Sequence, residues 1–148
     1  MGKTIDAVSL FTGAGGMDVG FENAGVNIIC ANEIVKEAAD TYELNHKKGI
    51  MVNADIYSVM DRFDACRGAD LVFGGPPCQG FSVAGKMDPN DERSKLIFAF
   101  LDVVERVRPR AFVWKMLKRL VRWINGAMCG KNTLIVRHKS DTHVFHLS

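Results

Sequence analysis

Thr4-Ile5-Asp6-Ala7-Val8-Ser9-Leu10 runs directly into Phe11-Thr12-Gly13-Ala14-Gly15-Gly16. The first seven residues favour a strand ready for burial, and the glycines let the backbone turn sharply at its end. Met17 to Ala24 then places Met17, Val19, Phe21 and Ala24 at helical spacing. Strand, glycine turn and helix in that order open a βαβ unit.

The same alternation continues down the chain. Val26–Ala31 reads as a second strand closing on Asn32-Glu33. Ile34–Asn45 reads as a helix, with Ile34, Val35, Ala38, Ala39, Tyr42 and Leu44 spaced for one face. Met51–Asp55 is a short third strand, and residues 61–68 form a loose helix or loop. Leu71–Phe73 is an apolar strand entering Gly74-Gly75-Pro76-Pro77. Glu92–Val107 is a helix that Pro109 stops, and Ala111–Val113 begins a fifth strand. Strands alternating with helices predict an α/β fold with a parallel sheet covered on both faces. Crossovers are right-handed, and ligands bind outside the carboxyl ends of the strands. Chemistry is therefore expected just after strands.

Composition bounds the rest. A chain of 148 residues, 47% hydrophobic and 24% charged, suits one ordinary globular domain. No apolar run approaches the ~18 residues of a membrane span, and the N-terminus predicts no secretory signal. Cys30, Cys66, Cys78 and Cys129 form no C-x-x-C pair, which disfavours a zinc module or a disulfide scaffold and points to reduced thiols in the cytoplasm. The net charge of +2 hides a break. Residues 1–113 hold 12 Lys/Arg against 16 Asp/Glu, whereas residues 114–148 hold 7 against 1. Such a tail either binds nucleic acid or was not selected with the rest. His138, His143 and His146 fall in it at a spacing that fits no common metal site, so no metal is expected.

Four strand ends carry candidate chemistry. The glycine turn at residues 11–16 opens a helix N-terminus suited to close ligand approach, although Asp18 departs from the full G-x-G-x-x-G pattern. Glu33 follows the first glycine at the distance where an acid meets ribose hydroxyls in nucleotide-binding units, while Asn32 and Glu33 would also suit a helix cap. Asp55 ends the third strand, as a polar ligand group or a turn residue. These three describe a nucleoside-shaped site and leave NAD and S-adenosylmethionine both open. At the fourth strand, Gly74-Gly75-Pro76-Pro77-Cys78-Gln79-Gly80-Phe81-Ser82 is a stiff turn presenting one cysteine, a pattern that suits a nucleophile better than a buried structural thiol. Cys30, inside the second strand, reads as core.

Phe11-x-Gly13-x-Gly15-Gly16, Glu33, Asp55 and Gly75-Pro76-Pro77-Cys78-Gln79 resemble the first four motifs of the DNA cytosine-5 methyltransferases, and Asp91-x-Arg93-x-x-Leu96 resembles the segment after them. The likeness covers residues 4–113, the N-terminal part of the catalytic domain, with Pro-Pro-Cys-Gln its specific element. It implies a Rossmann-like methyltransferase fold with S-adenosylmethionine as methyl donor. Phe11, Gly13, Gly15 and Gly16 would surround the cofactor, Glu33 would take the ribose hydroxyls, Asp55 the adenine amino group, and Leu96 would line the adenine pocket. Cys78 would be the nucleophile in a loop shaped by Pro77, and Arg93 would contact the flipped base or its phosphate. The Cys78 thiolate would add to C6 of cytosine, so that C5 can accept the methyl group; loss of the C5 proton and of the thiolate would restore the ring. The partner implied is double-stranded DNA with the cytosine flipped out, under a mobile loop at residues 80–93. The parent enzyme would be a monomer of bacterial or phage cytoplasm, associated with the nucleoid when on DNA, with membership of a restriction-modification pair left open.

The likeness stops after Val113. The family continues with Glu-Asn-Val, whose Glu holds the ring near N3; this chain reads Trp114-Lys115-Met116-Leu117. Joining the last G of a Trp codon to the AA of a Lys codon gives GAA, a Glu codon, and the neighbouring frame can continue with Asn and Val. Residues 114–148 are therefore read as an out-of-frame basic tail. The expectation is an incomplete sheet with an exposed edge at its fifth strand, without the general acid or target recognition domain, and with little methylation by this chain alone. The alternatives are a non-catalytic module binding S-adenosylmethionine or a nucleotide, a thiol redox protein using Cys78, and RNA as substrate.

Overall fold

The computed structural model describes residues 4–77, 92–115, 133–137 and 142–147. Its centre is a sheet in the order β3-β2-β1-β4-β5-β7-β6. Strands β1 (Ile5–Leu10), β2 (Val26–Glu33), β3 (Met51–Asn53), β4 (Leu71–Gly74) and β5 (Ala111–Lys115) are mutually parallel. The parallel part of the fold is as the alternation of apolar runs predicts. The exposed edge expected at the fifth strand is not found. Instead β5 pairs antiparallel with β7 (Thr142–Leu147), and β7 pairs with β6 (Thr133–Arg137).

Helix α1 (Gly16–Asn23) joins β1 to β2, α2 (Lys36–Asn45) joins β2 to β3, and α3 (Glu92–Val107) precedes β5. Two short 3₁₀ turns, separated by a kink at Val59, span Ile56–Cys66 and overlap the place read as a loose helix or loop. Asp55 starts the first by accepting the Tyr57 N–H at 2.8 Å. Helix α2 is shorter than its apolar spacing predicts. Ala39 and Tyr42 are buried, but Leu44 is exposed, and Ile34 and Val35 precede the helix on the surface.

Alternate residues of each strand feed two cores. On one face Ala7, Ile28, Leu71, Phe73 and Val113 meet Met17 and Phe21 of α1. On the other, Val8, Leu10, Val72 and Phe112 meet the 3₁₀ segment and the inner face of α3. Cys30 and Cys66 lie in this second core. Trp114 is also there, 1% exposed and stacked on Phe100 at 5.4 Å between ring centroids.

Strand order reverses between β1 and β4, so the loops leaving their carboxyl ends diverge and open a crevice. Register fixes its floor: Leu10 pairs with Asn32 on one side and with Gly74 on the other. Gly74 is required there, because a Cβ at that position would overlap the Leu10 carbonyl oxygen.

Candidate functional site

The crevice holds a cavity of about 260 Å³. Its wall takes Phe11 and Gly13 from the turn after β1, Glu33 from the end of β2 and Asp55 from beyond β3. Pro77 from beyond β4 and Leu96 from α3 complete it. These six were singled out in sequence, and one cavity brings them together. Gly15 and Gly16 do not line it: Gly15 is the buried N-cap of α1 and Gly16 its first residue. Cys78 and the loop at 80–91 lie outside the described residues, as does the Arg93 side chain on α3.

The glycine turn is wound tightly. Phe11 sits at φ 54°, Gly13 at 57° and Gly15 at 90°. For Gly13 and Gly15 this left-handed backbone costs little; for Phe11 it is strained, and such strain concentrates at functional turns. The Gly15 N–H donates to the Thr12 carbonyl at 3.0 Å and closes the turn. The Thr12 N–H donates to the Asn32 carbonyl at 3.2 Å and ties it to β2.

Glu33 is the hub. It is 8% exposed, and both carboxylate oxygens accept backbone N–H groups. Gly13 donates to Oε2 at 2.8 Å and Val35 to Oε1 at 2.9 Å. Each carboxylate oxygen has two lone-pair sites, so each can accept one more hydrogen bond from the cavity. The alternatives weighed in sequence, ligand acceptor and helix-start acceptor, are thus compatible in one side chain.

The neighbouring walls are braced in ways the sequence did not disclose. Asn32, read as a possible cap, instead donates from Nδ2 to the Val52 and Ala54 carbonyls at 2.9 and 3.0 Å, fixing the approach to Asp55. Asn53 donates from Nδ2 to the Glu33 and Ile34 carbonyls. Tyr57 donates its hydroxyl to the Lys95 carbonyl at 2.6 Å, which ties the segment after Asp55 to α3 next to Leu96. Asn32, Ile34, Val35, Ile56 and Gly75 also line the cavity. Helical periodicity assigned Ile34 and Val35 to a buried helix face, whereas both are exposed beside Glu33. Apolar walls with a few convergent acceptors suit a flat, partly polar ligand.

Beneath the turn is a buried polar group. Asp18 accepts the Ser9 hydroxyl and the Tyr42 hydroxyl, each at 2.9 Å. Burial pushes the Asp18 carboxyl above its ordinary value, against the lowering effect of those two hydrogen bonds. Burial and the neighbouring Asp18 push the Tyr42 phenol up as well.

Comparison with known proteins places this geometry in a family. The model of the C-5 cytosine-specific DNA methylases matches residues 5–126. The type II methyltransferase M.AquIA of Picosynechococcus is 40% identical over 126 residues, covering 80% of this chain and 51% of that protein. M.FnuDI of Fusobacterium nucleatum is 39% identical over 115 residues, covering 77% of this chain and 33% of that protein. The chain thus spans between a third and a half of these relatives' length. The crystal structure of the S. pombe Dnmt2 methyltransferase shares the fold at 23% identity and a TM-score of 0.69, covering 97% of this chain and 51% of that one. The chain belongs to the C-5 cytosine-specific DNA methylase family.

Proposed function

We propose that this chain is the N-terminal part of a DNA cytosine-5 methyltransferase, acting on double-stranded DNA, with S-adenosylmethionine as donor and Cys78 as nucleophile. The supporting observation is the single cavity at the strand-order reversal. It gathers Phe11, Gly13, Glu33, Asp55, Pro77 and Leu96 from separate segments of the chain.

The lining fits the cofactor. Glu33 keeps acceptor capacity for two ribose hydroxyls after holding Gly13 and Val35. Ile34, Ile56 and Leu96 offer apolar faces to a purine, with Asp55 at the rim for its amino group. Gly13 and the strained Phe11 shape the turn that the rest of the ligand would follow. S-adenosylmethionine, when bound, supplies a methyl group on a sulfonium. Cys78 follows Pro77 directly, and Pro77 borders the same cavity, so nucleophile and donor would share one crevice. Arg93 would hold the base or its phosphate. The flipped cytosine would receive the Cys78 sulfur at C6 and the methyl group at C5, then release the C5 proton and the thiolate.

Turnover by this chain alone is expected to be very low. The carboxyl end of β5, where the family carries a Glu, carries Lys115 beside Gly75. A lysine cannot serve as the carboxyl group that holds and protonates the ring near N3. That observation favours a second reading, a module that binds the cofactor without completing the reaction. We read residues 114–148 as out of frame, and the coding DNA across codons 113–116 tests that directly. The parent enzyme is proposed to work as a monomer in the cytoplasm.

Calorimetric titration with S-adenosylmethionine, followed by trapping on DNA containing 5-fluorocytosine, separates the readings. Binding with a Cys78-dependent covalent adduct supports the enzyme; binding without an adduct supports the module; no binding overturns both.

A further inference from the structure

His46 caps the carboxyl end of α2, and its side chain reaches Glu22 of α1. The side chain is only 1% exposed. Nδ1 lies 2.8 Å from Glu22 Oε2. A carboxylate can only accept, so Nδ1 carries the proton of this contact. Nε2 is buried and has no hydrogen-bond partner among the described residues. The ring stacks on Tyr42, four residues earlier, at 4.1 Å and 20°. Tyr42 is in turn held by Asp18, and Asp18 by Ser9.

The Nε2 edge of the ring faces Gly15. A Cβ built on Gly15 would fall within the imidazole edge and 2.8 Å from Tyr42 Cδ2. The two stacked rings therefore fill the space a side chain would take. Gly15 closes the turn through its N–H to Thr12, and its carbonyl accepts the first helical N–H of α1, from Val19, at 3.0 Å. Gly13, two residues earlier, holds Glu33 at the cavity wall. A shift at Gly15 is passed along this short, hydrogen-bonded turn to Gly13.

We propose that His46 is a positioning residue for the cofactor: the volume of its ring is the strut that sets Gly15, and through it the Gly13–Glu33 wall of the cavity. The role in binding rests on the reading of that cavity as the S-adenosylmethionine site. Burial and stacking alone would make His46 a core residue like any other. What singles it out is that its ring edge occupies the place of a Cβ on a glycine of the turn.

Two substitutions in the full chain separate the strut from bulk packing. H46N keeps an N–H for Glu22 but empties the space under Gly15. H46F keeps a ring in that space and loses the N–H. S-adenosylhomocysteine titration is expected to show ~10-fold weaker binding for H46N, and H46F within about threefold of the parent chain. Amide resonances of Gly13 and Gly15 should move in ligand-free H46N and stay near their parent positions in H46F. V107A, a truncation in the core under α3, supplies a loss of melting temperature without touching the turn. It should leave both amides and the affinity unchanged. Parent-like affinity in H46N, or equal weakening in V107A, overturns the proposal. A parent chain that binds no S-adenosylhomocysteine, while the Gly13 and Gly15 amides still move in H46N, overturns the cofactor reading and leaves the strut as the support of the turn.

Discussion

Gly13 donates its N–H to Glu33 Oε2 at 2.8 Å across 20 residues of sequence, so the glycine turn and the strand-end acid form one unit. The other oxygen holds Val35 at 2.9 Å. Hydrogen bonds to a charged group contribute about 1.5–3 kcal/mol each. Glu33→Ala removes both and also removes the acceptors left for a ligand. The expected outcome is a ~100-fold or greater loss of S-adenosylhomocysteine affinity by calorimetry. Glu33→Gln, which keeps one acceptor oxygen, should lose distinctly less. Equal affinity in Glu33→Ala and the parent would mean the acid plays no part in binding.

Gly74 and Gly13 serve different physical ends. Gly74 sits where a Cβ would overlap the Leu10 carbonyl oxygen in the neighbouring strand. Backbone cannot yield as a flexible side chain can, so Gly74→Ala must part β1 from β4 at the floor of the crevice. A loss of about 2–4 kcal/mol in urea unfolding is expected. An added Cβ at Gly13 would meet open space, so the fold needs glycine there for its φ of 57°. Gly13→Ala should cost about 1–2 kcal/mol. Reversal of that order would contradict the packing at Gly74.

The contrast shows what the sequence can disclose. The parallel strands and the identity of the cavity-lining acids were legible because apolar runs followed by glycine or acid recur at the ends of the first four strands. Glu33 and Asp55 stood out by position alone. The wiring among them did not. Nothing local in the sequence ties Asn32 to the Val52 and Ala54 carbonyls, or Tyr57 to the Lys95 carbonyl, because those bonds depend on strand register and helix placement. Ile34 and Val35 were absorbed into a helical stripe that in fact begins after them. The β7–β5 pairing was missed because the charge break at 114 argued for a tail outside the sheet, whereas the backbone of residues 142–147 continues it.

Asp18 makes stability depend on pH in an uncommon direction. Its folded-state carboxyl titrates above the ordinary value of 3.8, because burial outweighs the Tyr42 and Ser9 hydrogen bonds. A raised folded value means the folded state binds the proton more tightly than the unfolded chain does. This contribution is full below 3.8 and is lost as pH rises through the folded value. Asp18→Asn cannot ionise and should remove this component. Thermal melts from pH 4 upward should show the variant gaining on the parent as pH rises, with the difference levelling off once the parent carboxyl is ionised. A difference that shrinks with rising pH would show that the hydrogen bonds, not burial, dominate.

Trp114 tests where the packed part of the chain ends. The change in charge and motif places a boundary between residues 113 and 114, yet the Trp114 side chain is 1% exposed and stacks on Phe100. Its Nε1 is buried without a partner among the described residues, at a cost of about 1–3 kcal/mol. A ring is therefore wanted at this position, and the indole N–H is not. Trp114→Phe keeps the stack, removes the orphaned donor and gives up some buried area. The expected change in unfolding free energy is within about 1 kcal/mol of zero. Trp114→Ala opens a cavity between β5 and α3 and should cost about 3–5 kcal/mol. If instead both substitutions change stability by less than about 0.5 kcal/mol, Trp114 behaves as a surface residue and the core ends at Val113.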